Sequence, residues 1–594
     1  MKIFNIKRKV LVAGLVVGAA LMAGCANTST ATKDTDSAID SNAIQISFAE
    51  SQVSAEDPSV EINGTEAKIM TPGTYNVTGA CSEGSLVIDK DLKDVTIYLT
   101  DLDLAASKTS PVKIGKNSTV TLQVNGTTTL TDYEDPATEP ADDSVESDFE
   151  GAAIKVKSGA SVTISSTDDG ELIINSDSCK NGIDGASDSS ITLDGENLTT
   201  TITAANDGIS GNSIEINNGS IAIQSGADGI QANPDLIIHN GVFDIVTAGG
   251  HKNASALTDE DSAKGIKANG AITIENGAFD IDSADDSIQA NGDISINNGT
   301  FALSSGDDGI HSDLNVTIDN ASIDIQTCEE GIEGAAIVLN NGTGTIVAND
   351  DGINAATDET VEDISVTING GSWTVNAAGD GIDAGGDTMG NPKGSIYMND
   401  GTVQVYGSEN GGNSGIDYDG EFVYAGGSLI VLDTAGMNQY PSEGLYVFFG
   451  LNDSTSNFAI GNGSKIEVRD SEGNAITSAT GVKSANCVTV CDPAIKDGEE
   501  YHLYIDGLEA TSAITNTGAE MQFGRGGGMP SGMRGSQDGS MPDFSDSERP
   551  EPPQERSESF STDGERREPP DGFGGRMGRN NATGGEIVEQ EETA

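Results

Sequence analysis

The repeat that decides the fold is clearest in residues 285–310, which read DDSIQANGDISINNGTFALSSGDDGI. This stretch opens and closes on one signature, in which two acidic residues precede a small residue and Ile. Related copies occur at 206–209, 227–230, 285–288, 307–310, 329–332, 350–353 and 379–382, with weaker ones at 181–183, 264–266 and 414–416. The most regular copies are 21 or 22 residues apart. Self-similarity at such an interval is typical of a solenoid.

A second landmark, usually Asn-Gly, follows each signature glycine position by 10 or 11 residues, as in Asn298-Gly299. Short alternating runs such as residues 294–296 and 301–303 flank it, and alternation bounded by Asn and Gly indicates β-strands. Three short strands per repeat leave no room for a helix. The sequence therefore predicts an all-β fold, a right-handed single-stranded parallel β-helix of about 22 residues per rung with atypical β caps. The signature Ile should be buried, and the Asn side chains should hydrogen-bond from rung to rung.

The N-terminus predicts secretion and a lipid anchor. A basic start and an apolar run over residues 10–23 precede Met22-Ala23-Gly24-Cys25, which resembles a bacterial lipobox. We therefore predict a lipoprotein signal peptide at 1–24, lipidation at Cys25, and an extracytoplasmic cell-surface protein held to the membrane only through its lipid. The remaining predicted segments are a tether at 25–42, N-terminal capping rungs at 43–150, β-helix rungs at 151–435, a C-terminal β cap at 436–520 and a disordered Gly/Pro/Glu/Arg-rich tail at 521–594.

The charge of the chain limits its partners. The formal net charge is −65, and removal of a leader with four basic and no acidic residues would leave −69. Such a chain is not expected to bind nucleic acid or an anionic lipid surface. An anionic ligand would need a cation between itself and the protein.

The acidic positions of the signature predict a column of carboxylates. On adjacent rungs they would lie about 5 Å apart and repel by about 3–4 kcal/mol per pair at an effective dielectric constant of 20. Calcium relieves such repulsion, because it takes several oxygen ligands. The predicted Ca²⁺ ligands are Asp207, Asp228, Asp285, Asp286, Asp307, Asp308, Glu329, Glu330, Asp350, Asp351 and Asp380. The alternative is that Asp and Gly simply form good turns and the carboxylates point into solvent.

Two further features bear on this column and on ligand binding. Lys264 replaces an acidic residue, and we predict that it pairs with Asp228 and Asp286 where a metal is absent. The residue after each signature Ile should face outward in one polar row suited to an extended polysaccharide, although any solvated strand face is also polar. The predicted carbohydrate-binding residues are Gln231, Lys267, Gln289, His311, Glu333 and Asn354. Insertions at 247–262, 355–363, 384–394 and 408–413 would wall a groove.

Residues 73–77, 85–99 and 151–154, together with the repeated Asp-Gly-Ile and Asn-Gly pattern, resemble one known family. It is the bacterial family of carbohydrate-binding domain-containing surface proteins, which are calcium-binding, pectate-lyase-like right-handed β-helices. The resemblance covers roughly residues 43–520. It implies calcium sites on the flank of the helix and binding of plant cell-wall polysaccharide, including acidic pectic chains. Lys264 and the pair Asn413-Ser414 depart from the acidic pattern.

The leading functional hypothesis is therefore calcium-dependent binding of a cell-wall polysaccharide at the cell surface. One alternative is a calcium-dependent polysaccharide lyase in which Lys267 is the base, although the neighbouring acids would raise its pKa and oppose that role. Another alternative is a structural or adhesive rod. The sequence indicates no other catalytic residue.

Overall fold

The computed structural model describes residues 39–134, 150–176, 180–258, 261–385, 391–450 and 458–517. The predicted signal peptide, Cys25, most of the tether and the tail at 521–594 lie outside these residues. The described chain is almost entirely β-strand, and its one helical segment there is the 3-10 helix His251–Ala256. Within the described ranges, no helix combines the length and the apolar character needed to cross a bilayer.

The first face of the solenoid is a 15-stranded sheet of short strands, one from each successive rung. After an initial antiparallel hairpin, its strands pair in parallel and in register, so that Ile288 lies beside Ile310 and Ile310 beside Ile332. The strands are Val60–Asn63, Glu66–Ile69, Ser85–Ile88, Val112–Ile114, Ala152–Val156, Asn181–Gly185, Ile209–Gly211, Ile230–Ala232, Ile266–Ala268, Ile288–Ala290, Ile310–Ser312, Ile332–Gly334, Ile353–Ala355, Ile382–Ala384 and Ile416–Tyr418.

The second and third faces belong to one 27-stranded sheet that bends at the Asn-Gly landmark. In the N-terminal rungs a single long strand covers both faces, whereas later rungs use two short strands. The strands are Ile44–Ala49, Gln52–Ala55, Gly73–Cys81, Val95–Ala106, Thr119–Asp132, Ser161–Ser176, Ser190–Ala204, Ser213–Ser225, Leu236–Ile238, Val242–Thr247, Ile272–Ile274, Ala278–Ser283, Ile294–Ile296, Thr300–Ser305, Asn315–Ile318, Ser322–Thr327, Ala336–Leu339, Thr343–Ala348, Ser365–Ile368, Ser372–Ala377, Ser395–Met398, Thr402–Tyr406, Phe422–Tyr424, Ser428–Asp433, Leu445–Phe449, Cys487–Cys491 and Asn516–Thr517.

The C-terminal end changes from parallel to antiparallel pairing. Ser428–Asp433 pairs antiparallel with Cys487–Cys491. Beyond it lies a four-stranded antiparallel sheet formed by Ala475–Thr480, Lys465–Asp470, Glu500–Ile505 and Leu508–Ile514. Large aromatic side chains are buried where the rungs end, including Phe422 and Phe449. They cover apolar surface that the last rung would otherwise expose.

The interior is built from columns of equivalent residues, which confirms the predicted parallel β-helix. Every signature Ile in the described rungs is buried, and Ile310 is 0% exposed. Phe243, Phe279 and Phe301 stack in parallel with ring centroids 4.6 Å apart, close to the spacing between strands. The predicted Asn column is also confirmed, since the Asn276 amide donates to Asn240 at 3.0 Å.

The signature glycine allows rungs to approach closely. A side chain at Gly331 would collide with the backbone oxygen of Gly352 on the following rung and with Ile346 from the core. The equivalent glycines at 229 and 309 face the same obstruction. Packing therefore favours glycine at this corner, and the one serine among the doubled-acid copies, Ser287, is fully buried and contacts the Ser283 hydroxyl at 3.1 Å.

Candidate functional site

The acidic signature lies at the corner where the chain passes from the third face onto the first face. We call the aligned second acids the acidic column: Asp207, Asp228, Asp286, Asp308, Glu330, Asp351 and Asp380. We call the outward-facing positions of the first-face strands the outer row. Because the outer-row residue follows the acid by three positions, as His311 follows Asp308, both sets lie on the same side of the solenoid.

The acidic column has a structural role that the sequence did not reveal. One oxygen of Asp286 accepts the backbone N–H of Asp308 at 3.0 Å, and Asp308 in turn accepts that of Glu330 at 3.2 Å. The same bond joins Asp380 to Asp351 at 2.5 Å. Each of these carboxylates therefore fixes the next rung with one oxygen. The turn interpretation and the cation interpretation are compatible, because one oxygen serves the turn while the other contacts a cationic side chain in Asp286 and in Asp308.

The first acids of the signature behave differently from the second. Glu329 and Asp350 are exposed to solvent, whereas Asp285 is buried and Asp307 is half-buried. The doubled acids thus do not form two equivalent columns. The structure gathers the second acids beside the outer row and turns two of the four first acids away from it.

Lysine neutralises the middle of the acidic column. The Lys264 ammonium lies 3.0 Å from an oxygen of Asp285 and 2.5 Å from one of Asp286. Burial opposes ionisation of Asp286, but Lys264 and His311 outweigh it and lower its pKa. Burial and the neighbouring Asp286 charge raise the pKa of Asp285, because the two carboxylates share one ammonium.

The prediction for Lys264 was right for Asp286 and wrong for Asp228. Asp228 instead accepts the backbone N–H of Lys264 at 2.8 Å, because the Lys264 side chain extends toward the following rung. The side chain that pairs with Asp228 is Lys267, at 3.4 Å, and the Lys267 amine also donates to Ser262 at 3.0 Å. The candidate lyase base is therefore engaged in an ion pair.

His311 is surrounded by carboxylates. Its Nδ1 lies 3.3 Å from Asp308 and 3.8 Å from Glu333, and its Nε2 lies 3.5 Å from Asp313. Burial alone would lower the pKa of His311, but hydrogen bonds with Asp308 and Asp313 hold it well above the ordinary value. The imidazolium is thus the cation of its rung.

The acids of the later rungs differ from those around Lys264 in their partners. Among the described residues, no lysine or arginine forms an ion pair with Glu330, Asp351, Asp380 or Asp383. Burial raises the pKa of Asp351 to about 6, that of Asp380 to about 7 and that of Asp383 to about 8. Burial and the Asp308 charge also raise the pKa of Glu330. This part of the column would be stabilised by an external cation.

In the part of the chain that the structure describes, three groups of side chains bring possible ligand atoms within 4.8 Å of one another: Asp285–Asp286–Asp307, Asp286–Asp308–His311 and Asp308–Glu330–Glu333. The first contains both carboxylates already bound by Lys264, and the second contains the imidazolium. The third is composed only of carboxylates. Oxygen ligands are those that Ca²⁺ prefers, so the third group fits this ion best.

The side chains of the outer row are largely buried or half-buried beside these groups. Gln289 and Asn354 are only 6% and 8% exposed, and the Asn354 amide donates to Glu330 at 2.8 Å. Gln231, Lys267, His311 and Glu333 are half-buried in the same register. The row is thus continuous, but it is less solvated than an ordinary exposed strand face.

Insertions lie at both corners that flank the outer row. At the acidic corner, the backbone N–H of His251, in the 3-10 helix His251–Ala256, donates to Asp282 at 2.7 Å. At the other corner, Thr357 donates to the backbone oxygen of Asp313 at 2.6 Å. The Asn391 side chain accepts the backbone N–H of Val361 at 3.0 Å and so contacts the insertion at 355–363. The groove expected between these insertions stays a prediction.

The raised pKa values predict a pH-dependent stability. For Asp351, Asp380 and Asp383 the folded-state pKa lies above the unfolded value, so their stabilising contribution is complete at low pH and is lost as pH rises through about 6 to 8. With chelator present, we expect the melting temperature to rise by several degrees between pH 8 and pH 5. Calorimetric melting across this range, with and without calcium, is the measurement. A melting temperature that falls steadily from pH 8 to pH 5 in chelator would contradict the expectation.

The chain matches a family model and aligns with a solved structure. A family model described as carbohydrate-binding domain-containing protein matches residues 63–309 and again residues 307–528. No curated protein is detectably similar to the chain. A solved structure, described as that of the polysaccharide lyase-like protein from C. thermocellum in a gadolinium derivative, aligns with a TM-score of 0.32 and 23% identity over 46% of this chain and 94% of that chain.

Proposed function

Because the chain belongs to the family of carbohydrate-binding domain-containing proteins, we propose that it binds an acidic polysaccharide along the outer row with the help of Ca²⁺. The observation that carries this proposal is the run of buried carboxylates after His311 that has no lysine or arginine partner among the described residues. A polyanionic protein with this surface needs a cation before it can hold a polyanionic glycan.

The group Asp308–Glu330–Glu333 is the proposed calcium centre. Asp308 would contribute the oxygen that faces His311, Glu330 would contribute the oxygen that Asn354 does not contact, and Glu333 reaches the group from the outer row. Ca²⁺ takes several oxygen ligands and retains room for ligands from outside the protein. Carboxylate groups of a pectic uronate chain would supply these external ligands. Gln289 and Asn354 in the outer row offer side-chain amides to the hydroxyl groups of the sugar.

Attachment to the cell surface completes the proposal. The lipobox-like residues ending at Cys25 support a diacylglyceryl anchor that would leave the solenoid outside the membrane. The groove would then face the polysaccharides that surround the cell.

The structure gives less support to a lyase. Lys267 would have to release its proton and abstract one from the sugar, but its amine lies 3.4 Å from Asp228 and 3.0 Å from Ser262. The amine is thus engaged by a carboxylate and a hydroxyl group of the protein and does not face a ligand as a free base. We therefore propose binding without cleavage.

Retention on insoluble polygalacturonate tests the proposed function. The full chain should be depleted from solution in calcium at about 0.15 M salt, where long-range repulsion is screened beyond about 8 Å, and should stay in solution in chelator. Polygalactose, which lacks the carboxylates, is the control matrix. Equal retention with and without calcium would overturn calcium bridging, and absence of retention in both would remove the uronate ligand.

A further inference from the structure

Basic residues are concentrated in the N-terminal rungs. Nine lysines fall within residues 68–180, whereas residues 181–517 contain only eight lysines and arginines together. In a chain with a net charge of −65, this segment differs sharply from the rest of the described solenoid. The acidic signature does not occur there.

Three of these lysines belong to the outer row. Lys68 lies in register with Val87, Val87 with Lys113, and Lys113 with Lys155. Lys155 then lies beside Asp184, which continues toward Gln231 and His311. The outer row therefore carries lysines on its N-terminal rungs and, on its later rungs, acids that have no lysine or arginine partner among the described residues.

Buried or half-buried carboxylates hold the lysines in place. The Glu150 side chain, which is 5% exposed, contacts the ammonium groups of both Lys113 and Lys157. Burial alone would raise the pKa of Glu150, but hydrogen bonds from these two lysines keep it below the ordinary value, so the carboxylate is ionised. Lys155 contacts Asp184 in the same way, and Lys68 lies 2.9 Å from Asp89.

These ion pairs leave donors for a ligand. An ammonium group has three N–H donors. Each of these lysines needs only some of its donors to contact its carboxylate partner. The side chains of Lys68 and Lys113 remain 31% and 30% exposed. Lys68 and Lys113 are thus oriented by the protein and accessible on the outward side of the sheet, whereas the Lys155 side chain is 16% exposed.

We propose that Lys68, Lys113 and Lys155 form a second subsite, independent of metal, that binds carboxylate groups of the same acidic polysaccharide directly. This inference rests on the proposed function, because it concerns the same row and the same ligand. Register places Lys113 eight rungs from Glu333, a distance on the order of 40 Å. A glycan long enough to span it is held at one end by calcium and at the other by lysines.

Oligomers of different length test the two subsites separately, because only a long oligomer can reach both. Long and short oligogalacturonates are titrated by calorimetry in calcium against the wild type and the double variant Lys68→Gln/Lys113→Gln. The variant should bind the long oligomer about tenfold more weakly, as expected for the loss of two exposed ion pairs, and the short oligomer as well as the wild type does. Higher salt should weaken binding of the long oligomer more in the wild type than in the variant.

Two controls accompany the double variant. Lys465→Gln/Lys496→Gln removes the same charge from the C-terminal sheet and from the loop that precedes its strand Glu500–Ile505, and should leave both affinities unchanged. Lys68→Arg/Lys113→Arg keeps the charge and should retain binding of the long oligomer, which excludes misfolding as the cause. Equal affinity of the wild type and Lys68→Gln/Lys113→Gln for the long oligomer overturns the lysine subsite alone. Failure of the wild type to bind either oligomer overturns the proposed function and the lysine subsite together.

Discussion

Replacement of Lys264 by Met should lower the free energy of unfolding by about 3–5 kcal/mol in chelator, as expected when one partner of a buried ion pair is removed. The ammonium group lies between Asp285 and Asp286, and the Asp286 side chain is only 2% exposed. Met keeps most of the packing of the aliphatic chain, so the loss reports charge. Urea unfolding with and without calcium is the measurement.

Calcium should restore much of this loss. Without the ammonium, the oxygens of Asp285, Asp286 and Asp307 form a carboxylate group within 4.8 Å that an ion can enter. Calcium at 100 times its dissociation constant would add about 2.7 kcal/mol. The matched control is Lys496→Met, whose side chain is 73% exposed and whose loss should change stability by no more than about 0.5 kcal/mol. A variant as stable as the wild type in chelator would contradict the role of Lys264.

Replacement of Glu330 and Glu333 by Gln should abolish most of the calcium response. We expect retention on polygalacturonate in calcium to fall more than about tenfold, or 1.4 kcal/mol in binding free energy. In chelator the same double variant should be more stable than the wild type, because two carboxylates that burial and the Asp308 charge disfavour have become neutral. Retention assays and thermal unfolding measure these two effects.

Weaker retention in calcium together with higher stability in chelator distinguishes metal binding from a structural role. If Glu330 and Glu333 only stabilised the rungs, their loss would weaken the protein in both conditions. The control is Asp244→Asn/Asp324→Asn, which removes two exposed charges from the third face and should preserve the calcium response. An unchanged calcium-dependent melting temperature in Glu330→Gln/Glu333→Gln would show that the ion binds elsewhere.

The columns of the solenoid could be predicted because they repeat in the sequence. Ile310 and its equivalents recur at a fixed interval and are buried, and Asn276 hydrogen-bonds to Asn240 as a regular stack requires. The same regularity predicted that the acids align. It could not predict that Asp286 would accept the backbone of Asp308, because side-chain direction at a corner depends on the path of the main chain.

The basic end of the outer row was missed because no signature marks it. Lys68, Lys113 and Lys155 lie 45 and 42 residues apart in sequence and become neighbours only through strand register. A signal was nevertheless present, since each lysine stands between two aliphatic residues in a short strand, as Ile266-Lys267-Ala268 does later. The pairing of Lys264 with Asp285 was missed for a similar reason: sequence spacing does not show toward which rung a long side chain extends.

The close contact between signature glycines has a consequence for how the molecule can change in length. Ile288, Ile310 and Ile332 follow one another at intervals of 22 residues and lie directly beside one another. Duplication or loss of one whole repeat preserves the stacking of equivalent residues, whereas insertion of one residue within a strand moves the following side chains to the opposite face of the sheet. Gene rearrangements can therefore lengthen the solenoid only in complete turns. For the proposed polysaccharide site, the length of glycan that one molecule can bind would therefore change in steps of one rung.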